Sequence, residues 1–391
     1  MDPAAAQRIA DRLAARQDDM LAFLETLVCI ESPTRDPEAI AAVQEPLIER
    51  LTTLDFVVHR IPGRDGFGPH LMARPQSRTS GAPLQLLVGH CDTVWPHGTL
   101  ETMPFVVEGN DVRGPGVFDM KGGLTQMLFA LEALQDEGIT PPLTPVVLIN
   151  SDEEVGSPTS GRHVERLARR AERAFVVESA LGLDGRIKTS RKGTGRYVIR
   201  IEGKSAHAGL DPERGSSAIL ELSHVVQAVH ALNDPDAGVT LNVGTIDGGT
   251  RPNVVAAESQ AEIDVRVQTH AQAEQVDAAL RALEATTPGT RLEVDGGIGR
   301  PPMPFTDAAR ALWGQAETAA AWLGMDLDHG QSGGASDGNL TSQHAPTLDG
   351  LGAVGDGAHA LHEFCYADKM VERAALLAVL LASPCSASRV S

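Results

Sequence analysis

The chain alternates short, uniformly apolar runs with longer segments in which apolar residues recur every three or four positions. "LQLLVGH" (Leu84 to His90), "PVVLI" (Pro145 to Ile149) and "AFVV" (Ala174 to Val177) are too short for helices and show no polar alternation. They predict central strands covered on both faces. "FVVHRI" (Phe56 to Ile61) reads as a further strand. "EAIAAVQEPLIERLTTL" (Glu38 to Leu54) has helical spacing, and in "LTQMLFALEAL" the residues Leu124, Met127, Leu128, Leu131 and Leu134 share one helix face. The first thirty residues mix charge with Ala and Leu at helical spacing and predict one N-terminal helix. Strands alternating with helices imply an α/β fold: a mixed sheet flanked by helices.

The pattern changes in the middle of the chain. "RYVIRIEG" alternates with period two, "SSAILELSHVVQAVHAL" is helical, "VTLNVGTIDGG" and "SQAEIDVRV" are strands, "AQAEQVDAALRALEA" is helical and "RLEVDGG" is a last strand. The order β-α-β-β-α-β is ferredoxin-like and predicts an inserted domain. Helical material resumes with "DAARALWGQAETAAAWLG" and closes with "MVERAALLAVLLA". Three segments follow: residues 1–189 and 301–391 as two parts of one domain, and 190–300 as the insertion.

Composition narrows the function. With 391 residues the chain is too long for one ordinary core. Its net charge of −19 argues against nucleic acid or an anionic membrane as partner. No stretch approaches the length of a membrane-spanning helix, and the N-terminus lacks the basic-then-apolar order of a signal peptide. Cys29, Cys91, Cys365 and Cys385 are scattered without CxxC spacing, which predicts no disulfide framework and a cytoplasmic home.

The chemistry gathers where strands end. "LQLLVGHCD" places His90 and Asp92 just past one strand, "PVVLINSDEE" places Glu153 and Glu154 past another, and "AFVVES" places Glu178 past a third. In open α/β sheets ligands bind beyond the carboxyl ends of the strands. "GPGVFDMKGG" adds Asp119 before a glycine-opened helix, and "GDGAHALHEF" adds His359, His362 and Glu363. Taken singly, each has a bland reading as a solvated turn or a surface histidine. Together they form an oxygen and nitrogen donor set without thiolate, suited to catalytic zinc, with more ligands than one tetrahedral ion needs. Asp92 is placed to hold the second ring nitrogen of His90.

The motifs "GHCDTVW", "GPGVFDMKGG", "SDEEVGS", "VVES", "GKSAHAG" and "GAHALHEF" run in the order seen in one group of enzymes. The chain resembles the di-zinc exopeptidase family of acetylornithine deacetylase, succinyl-diaminopimelate desuccinylase, aminoacylase and bacterial glutamate carboxypeptidase. The last is most similar, through "GPG" before Asp119 and "SGGASD" (Ser332 to Asp337). The resemblance covers nearly the whole chain. It implies a zinc-exopeptidase-like catalytic domain, an inserted lid and dimerisation domain, a homodimer, and two zinc ions per subunit, with cobalt or manganese as possible substitutes.

Residue by residue, the resemblance makes Asp119 the bridging ligand, His90 and Glu178 the further ligands of one zinc, and Glu154 and His359 those of the other. His359 is chosen over His362 by its spacing to Glu363. The resemblance also implies a cis peptide after Asp119. Glu153 becomes the general base and acid, Asp92 the partner of His90, and His207 an oxyanion donor supplied to the site of a second subunit. Arg266 and Asn253 match positions that face substrate, and backbone N–H groups around Gly334 are placed to receive a carboxylate. Arg300 is a further basic residue at the end of the insertion. Cys91, directly after His90, and "VF" before Asp119 depart from the family pattern.

The expected reaction is hydrolysis of an amide next to a C-terminal amino acid with a free carboxylate, in a small molecule or short peptide. The same machinery serves a deacylase of small N-acyl amino acids or a dipeptidase. Two other classes are weaker. "GQSGG" satisfies the G-x-S-x-G pattern, but the preceding "GMDLDH" is not a strong strand and no triad context supports Ser332 as nucleophile. A non-catalytic member would be expected to lack a ligand or the base, and none is missing.

Overall fold

The three apolar runs become neighbouring strands of one six-stranded sheet in the computed structural model, which describes residues 1–384. Cys385 lies outside the described residues. Across the sheet the strands are Phe56–Ile61, His70–Pro75, Thr144–Asn150, Leu84–His90, Ala171–Val176 and Thr347–Leu348. The last four are parallel, and the first two are joined antiparallel at one edge. The sheet is therefore mixed.

Alternation within the buried strands divides two cores. Leu84, Leu86, Val88, Val146 and Leu148 pack with Val164 and Leu167 of helix Gly161–Ala168 and with Leu340. Leu87, Val147, Ile149 and Phe175 face the larger cluster formed with helices Gly122–Asp136 and Ala367–Ala382. Every residue of Leu84–His90 is buried, which is why the run carries no polar alternation.

Two sequence expectations need correction. The N-terminal stretch forms two helices, Pro3–Ala14 and Gln17–Val28, rather than one. The break falls at Arg16, whose φ of −115° and ψ of 18° are not helical; its guanidinium bonds Glu132 and Asp19. Each piece then lays its own stripe on the core: Ala6, Ile9 and Leu13, then Met20, Leu24, Leu27 and Val28. The strand His70–Pro75 was absent from the predicted set, because His70 and Arg74 interrupt its apolar run.

Two compact units divide the chain. One comprises Met1–Ser190, Phe305–Ser332 and the described chain from Ser336 on; the other comprises Arg191–Pro304 with Gly333–Ala335. In the second unit, strands lie in the order Thr240–Gly248, Glu258–Val267, Gly193–Glu202, Arg291–Arg300, all antiparallel. With helices Ala218–His230 and His270–Arg281 this is the ferredoxin-like arrangement. Tyr197, Ile199, Ile201, Ile263 and Val265 pack with Leu222, Val225, Val276 and Leu280 of those helices. Among the described residues no helix is long and apolar enough to cross a membrane.

Candidate metal centre

Strand register brings the first donors together. His90 sits opposite Asn150, and Val88 opposite Val176, so Glu178 emerges level with His90 while Glu153 and Glu154 follow on the other side. His90 Nε2 lies 3.2 Å from Asp119 Oδ1 and 3.5 Å from Glu178 Oε1. His359 Nε2 lies 3.1 Å from Glu154 Oε2 and 3.5 Å from Asp119 Oδ2. Asp119 thus stands between the two histidines, one carboxylate oxygen toward each. Single donor atoms of His90, Asp119 and Glu154 fall within 4.8 Å of one another, as do those of His90, Glu153 and Glu178.

Asp119 is held by a turn rather than a strand. The Asp119–Met120 peptide is cis, as the resemblance implies. Glu363 organises the preceding turn: its carboxylate accepts from the backbone N–H groups of Gly116, Phe118 and Asp119 and from Trp95 Nε1, at 2.9 to 3.0 Å. Behind the turn, a Cβ on Gly123 would come within 1.9 Å of the Val177 carbonyl oxygen, so only glycine lets this helix start approach the strand that carries Glu178. His359 adopts φ +61°, in the left-handed region uncommon for a side-chain-bearing residue.

Asp92 does more than the sequence suggested. The closest acceptor for His90 Nδ1 is the Asp92 backbone carbonyl at 2.9 Å, with the carboxylate at 3.4 Å. That carboxylate also accepts from the Thr34 hydroxyl at 2.9 Å and from the backbone N–H groups of Glu153 and Glu154 at 3.3 Å. Asp92 therefore ties the His90 strand end to the loop bearing both glutamates. Asp152 braces the same loop, accepting from the N–H and hydroxyl groups of Thr159 and Ser160. Neither Thr34 nor the Glu363 cradle was found from the sequence; the nearest signal was the fixed spacing of Glu363 after His359.

The electrostatics are those of a site waiting for positive charge. Burial opposes a charge on His90, yet hydrogen bonds to Asp119, Asp92 and Glu178 hold its pKa well above the usual histidine value. Bonds to Asp119 and Glu154 raise His359 to about 10. Burial pushes Glu154 up to about 7, against the pull of His359 and helped by the neighbouring Asp119 charge. Asp119 is drawn far below the carboxylate range by the two histidines, despite its burial. Glu154 Oε1 is buried without a hydrogen-bond partner, a position a cation would satisfy. The donor set, the shared position of Asp119 and this orphan oxygen fit a pair of divalent ions.

Of the remaining sequence candidates, His207, Asn253, Arg266, Arg300 and Gly334 belong to the second unit, and His362, Cys91 and Ser332 to the first. His207 Nδ1 accepts from the backbone N–H groups of Gly209 and Leu210, both at 3.1 Å, which leaves Nε2 to carry the proton and act as donor. Asn253 is beside it: Ala208 donates its N–H to the Asn253 carbonyl, and His207 bridges Val254. Arg266 is paired with Asp264 at 2.8 Å, and the Gly334 carbonyl accepts from Arg191. Arg300 is buried at the end of its strand. Among the described residues, the carboxylates of Asp119 and Glu154 engage His359 rather than His362. Cys91 is buried, its thiol pushed up to about 12 by burial, so it is not a ready nucleophile. Ser332 ends a strand of only four residues.

The sequence profile of peptidase family M20/M25/M40 matches residues 86–383. Carboxypeptidase G2 of Pseudomonas sp. (strain RS-16) is 31% identical over 355 residues, covering 88% of this chain and 84% of that protein. A succinyl-diaminopimelate desuccinylase of Nitrosospira multiformis is 29% identical over 370 residues, covering 89% and 93%. The crystal structure of aminopeptidase PepT from Bacillus cereus superposes with a TM-score of 0.80 at 25% identity, covering 93% of this chain and 98% of that one.

Proposed function

The chain belongs to peptidase family M20/M25/M40, and on that premise we propose that it is a zinc-dependent hydrolase of the amide bond next to a C-terminal, carboxylate-bearing amino acid, in the manner of a glutamate carboxypeptidase. The observation that carries this reading is the gathering of His90, Asp119, Glu154, Glu178 and His359 at adjoining strand ends, with Glu153 against them. Asp119 would bridge two zinc ions, His90 and Glu178 completing one and Glu154 and His359 the other. Bound zinc supplies Lewis acidity, polarising the amide carbonyl and acidifying water.

The rest is done by the chain's own groups. Glu153 takes the proton of the attacking water and returns it to the leaving amine nitrogen. Asp92 fixes the ring of His90 and the backbone of Glu153 and Glu154. His207, protonated at Nε2, donates to the oxyanion of the tetrahedral intermediate, in a homodimer where it serves the partner's site. Arg266, Asn253 and the backbone about Gly334 receive the substrate carboxylate.

The test is hydrolysis of a folate-type pteroyl-glutamate amide by zinc-loaded protein, with chelation and zinc restoration. Cleavage that chelator abolishes and zinc restores supports both the metal role and the preference for glutamate. The match to a desuccinylase and the likeness to an aminopeptidase favour a second reading, a deacylase of small N-acyl amino acids or a dipeptidase. Turnover of N-succinyl amino acids or dipeptides without cleavage of the pteroyl amide would select it.

A further inference from the structure

Two opposite charges meet at the edge of the six-stranded sheet without pairing. Strand Phe56–Ile61 begins with Phe56 opposite Pro75, the last residue of His70–Pro75. One step further out, the Gln76 N–H donates to the Asp55 carbonyl at 2.8 Å, and the Arg78 N–H turns back to the Pro75 carbonyl at 3.3 Å. Asp55 and Arg78 are thus brought to neighbouring positions, yet among the described residues no ion pair joins them. Arg78 is half-buried, and its Nε is out of water with no hydrogen-bond acceptor. A loop arginine can ordinarily carry its guanidinium into solvent, so this placement points to something received there.

Both residues line one cavity of about 460 Å³, a volume typical of small-molecule sites. Its floor is apolar: Leu54, Phe56, Leu131 and Leu134 are buried members of the main core, with Ile139 packed against them. Helices Pro37–Thr53 and Gly122–Asp136 both end beside it, and helix carboxyl ends favour positive charge. Thr144 lines the cavity too, and strand Thr144–Asn150 runs from there toward the metal centre, about 20 Å at about 3.3 Å per residue. The cavity therefore lies at the opposite end of the sheet from the metal donors.

We propose that this cavity binds a free apolar α-amino acid. The carboxylate sits on the Arg78 guanidinium, the ammonium on Asp55 and the helix carbonyl ends, and the side chain on the apolar floor. An anion alone would face Asp55 and two helix carboxyl ends, and a cation alone would leave Arg78 unanswered. Only a zwitterion with an apolar body meets every part of the lining. The site is separate from the metal centre and does not depend on the hydrolase reading.

The experiment is calorimetric binding of L-leucine to the zinc-loaded full chain, to Arg78→Gln and to Asp55→Asn. Two analogues that the proposed hydrolase cannot cleave are measured beside it: 3-methylbutylamine, without the carboxylate, and 4-methylpentanoate, without the ammonium. Asn tolerates the left-handed φ of +57° at position 55, so Asp55→Asn keeps the turn. The expected result is leucine binding at least about tenfold tighter than either analogue, with each variant weakening leucine about tenfold. Arg78→Gln should leave the amine unaffected, and Asp55→Asn should leave the acid unaffected. No leucine binding, or leucine binding that neither variant weakens, overturns the proposal. Binding that chelation abolishes and both variants keep would belong to the metal centre and would overturn it equally.

Discussion

The two units place functional side chains by different means. In the first, parallel strands buried on both faces set His90, Glu153, Glu154 and Glu178 by register, and backbone N–H groups donating to the Asp92 and Glu363 carboxylates lock what register leaves loose. In the second, an antiparallel sheet keeps one face open, and His207, Asn253 and Arg266 stand on loops or on the polar face of a strand. A group set by register has almost no freedom and suits metal and proton chemistry, where a displacement of about 1 Å is ruinous. A group on an exposed loop suits recognition. In the second unit Arg266 and Asn253 should therefore act mainly on KM, while His207, proposed as an oxyanion donor, is the exception that should act on kcat.

The largest effect that could break this contrast is at Glu153. Glu153→Gln is expected to lower kcat by about 10³-fold or more while zinc content stays at two per chain, whereas Asp119→Ala loses both zinc and activity. Metal analysis beside single-turnover kinetics checks both; near-normal kcat in Glu153→Gln would remove the base. His207→Ala should cost about 10²-fold in kcat, as loss of one oxyanion donor does, and Arg266→Ala should act mainly on KM. A KM change alone in His207→Ala would deny it a role in the transition state. Glu363→Gln should weaken zinc affinity by about 10- to 100-fold, read by competition with a chelator, since a neutral amide cannot accept from all four of its present donors.

A smaller effect concerns pH. Glu154, raised to about 7, and His359, raised to about 10, both bind protons more tightly in the folded metal-free chain than in the unfolded one. Their contribution to stability is complete below their ordinary values and is lost as pH climbs through the raised ones. The Tm of chelated protein should therefore fall as pH rises from about 4.5 to about 10, through Glu154 first and His359 second. Zinc needs the same ligands deprotonated, so the gap between zinc-loaded and chelated protein should widen over that range. A gap that narrows would contradict the assignment of these two ligands. The smallest expected effect is Thr34→Val, which removes one bond to Asp92 and should lower stability by about 1 kcal/mol in denaturant unfolding.

Much of this was legible in the sequence because it depended on local pattern. Uniform apolar runs announced buried parallel strands, and the polar residues immediately after them announced one shared edge. The alternation in "RYVIRIEG" and its neighbours announced a sheet with one open face. What could not be read were contacts between distant segments. Thr34 meets Asp92 across 58 positions, and Glu363 meets Asp119 across 244. Both are hydrogen bonds whose partner is settled only by the fold. At the Arg16 break, too, the guanidinium bonds a distant residue, Glu132, 116 positions away. The strand His70–Pro75 was hidden because its partners, not its own hydropathy, make it a strand.

The position of Glu363 has a consequence for how the enzyme comes into being. A growing chain can pair its three central strands once residue 176 has left the ribosome, and by then His90, Asp119 and both glutamates of the 153–154 pair exist. The turn that aims Asp119 still lacks its carboxylate, and His359 has not been made. The proposed metal centre thus cannot close until residue 363 has been synthesised. A product terminated shortly before residue 359 would carry most of the sheet while lacking one proposed ligand and the carboxylate that holds the Asp119 turn.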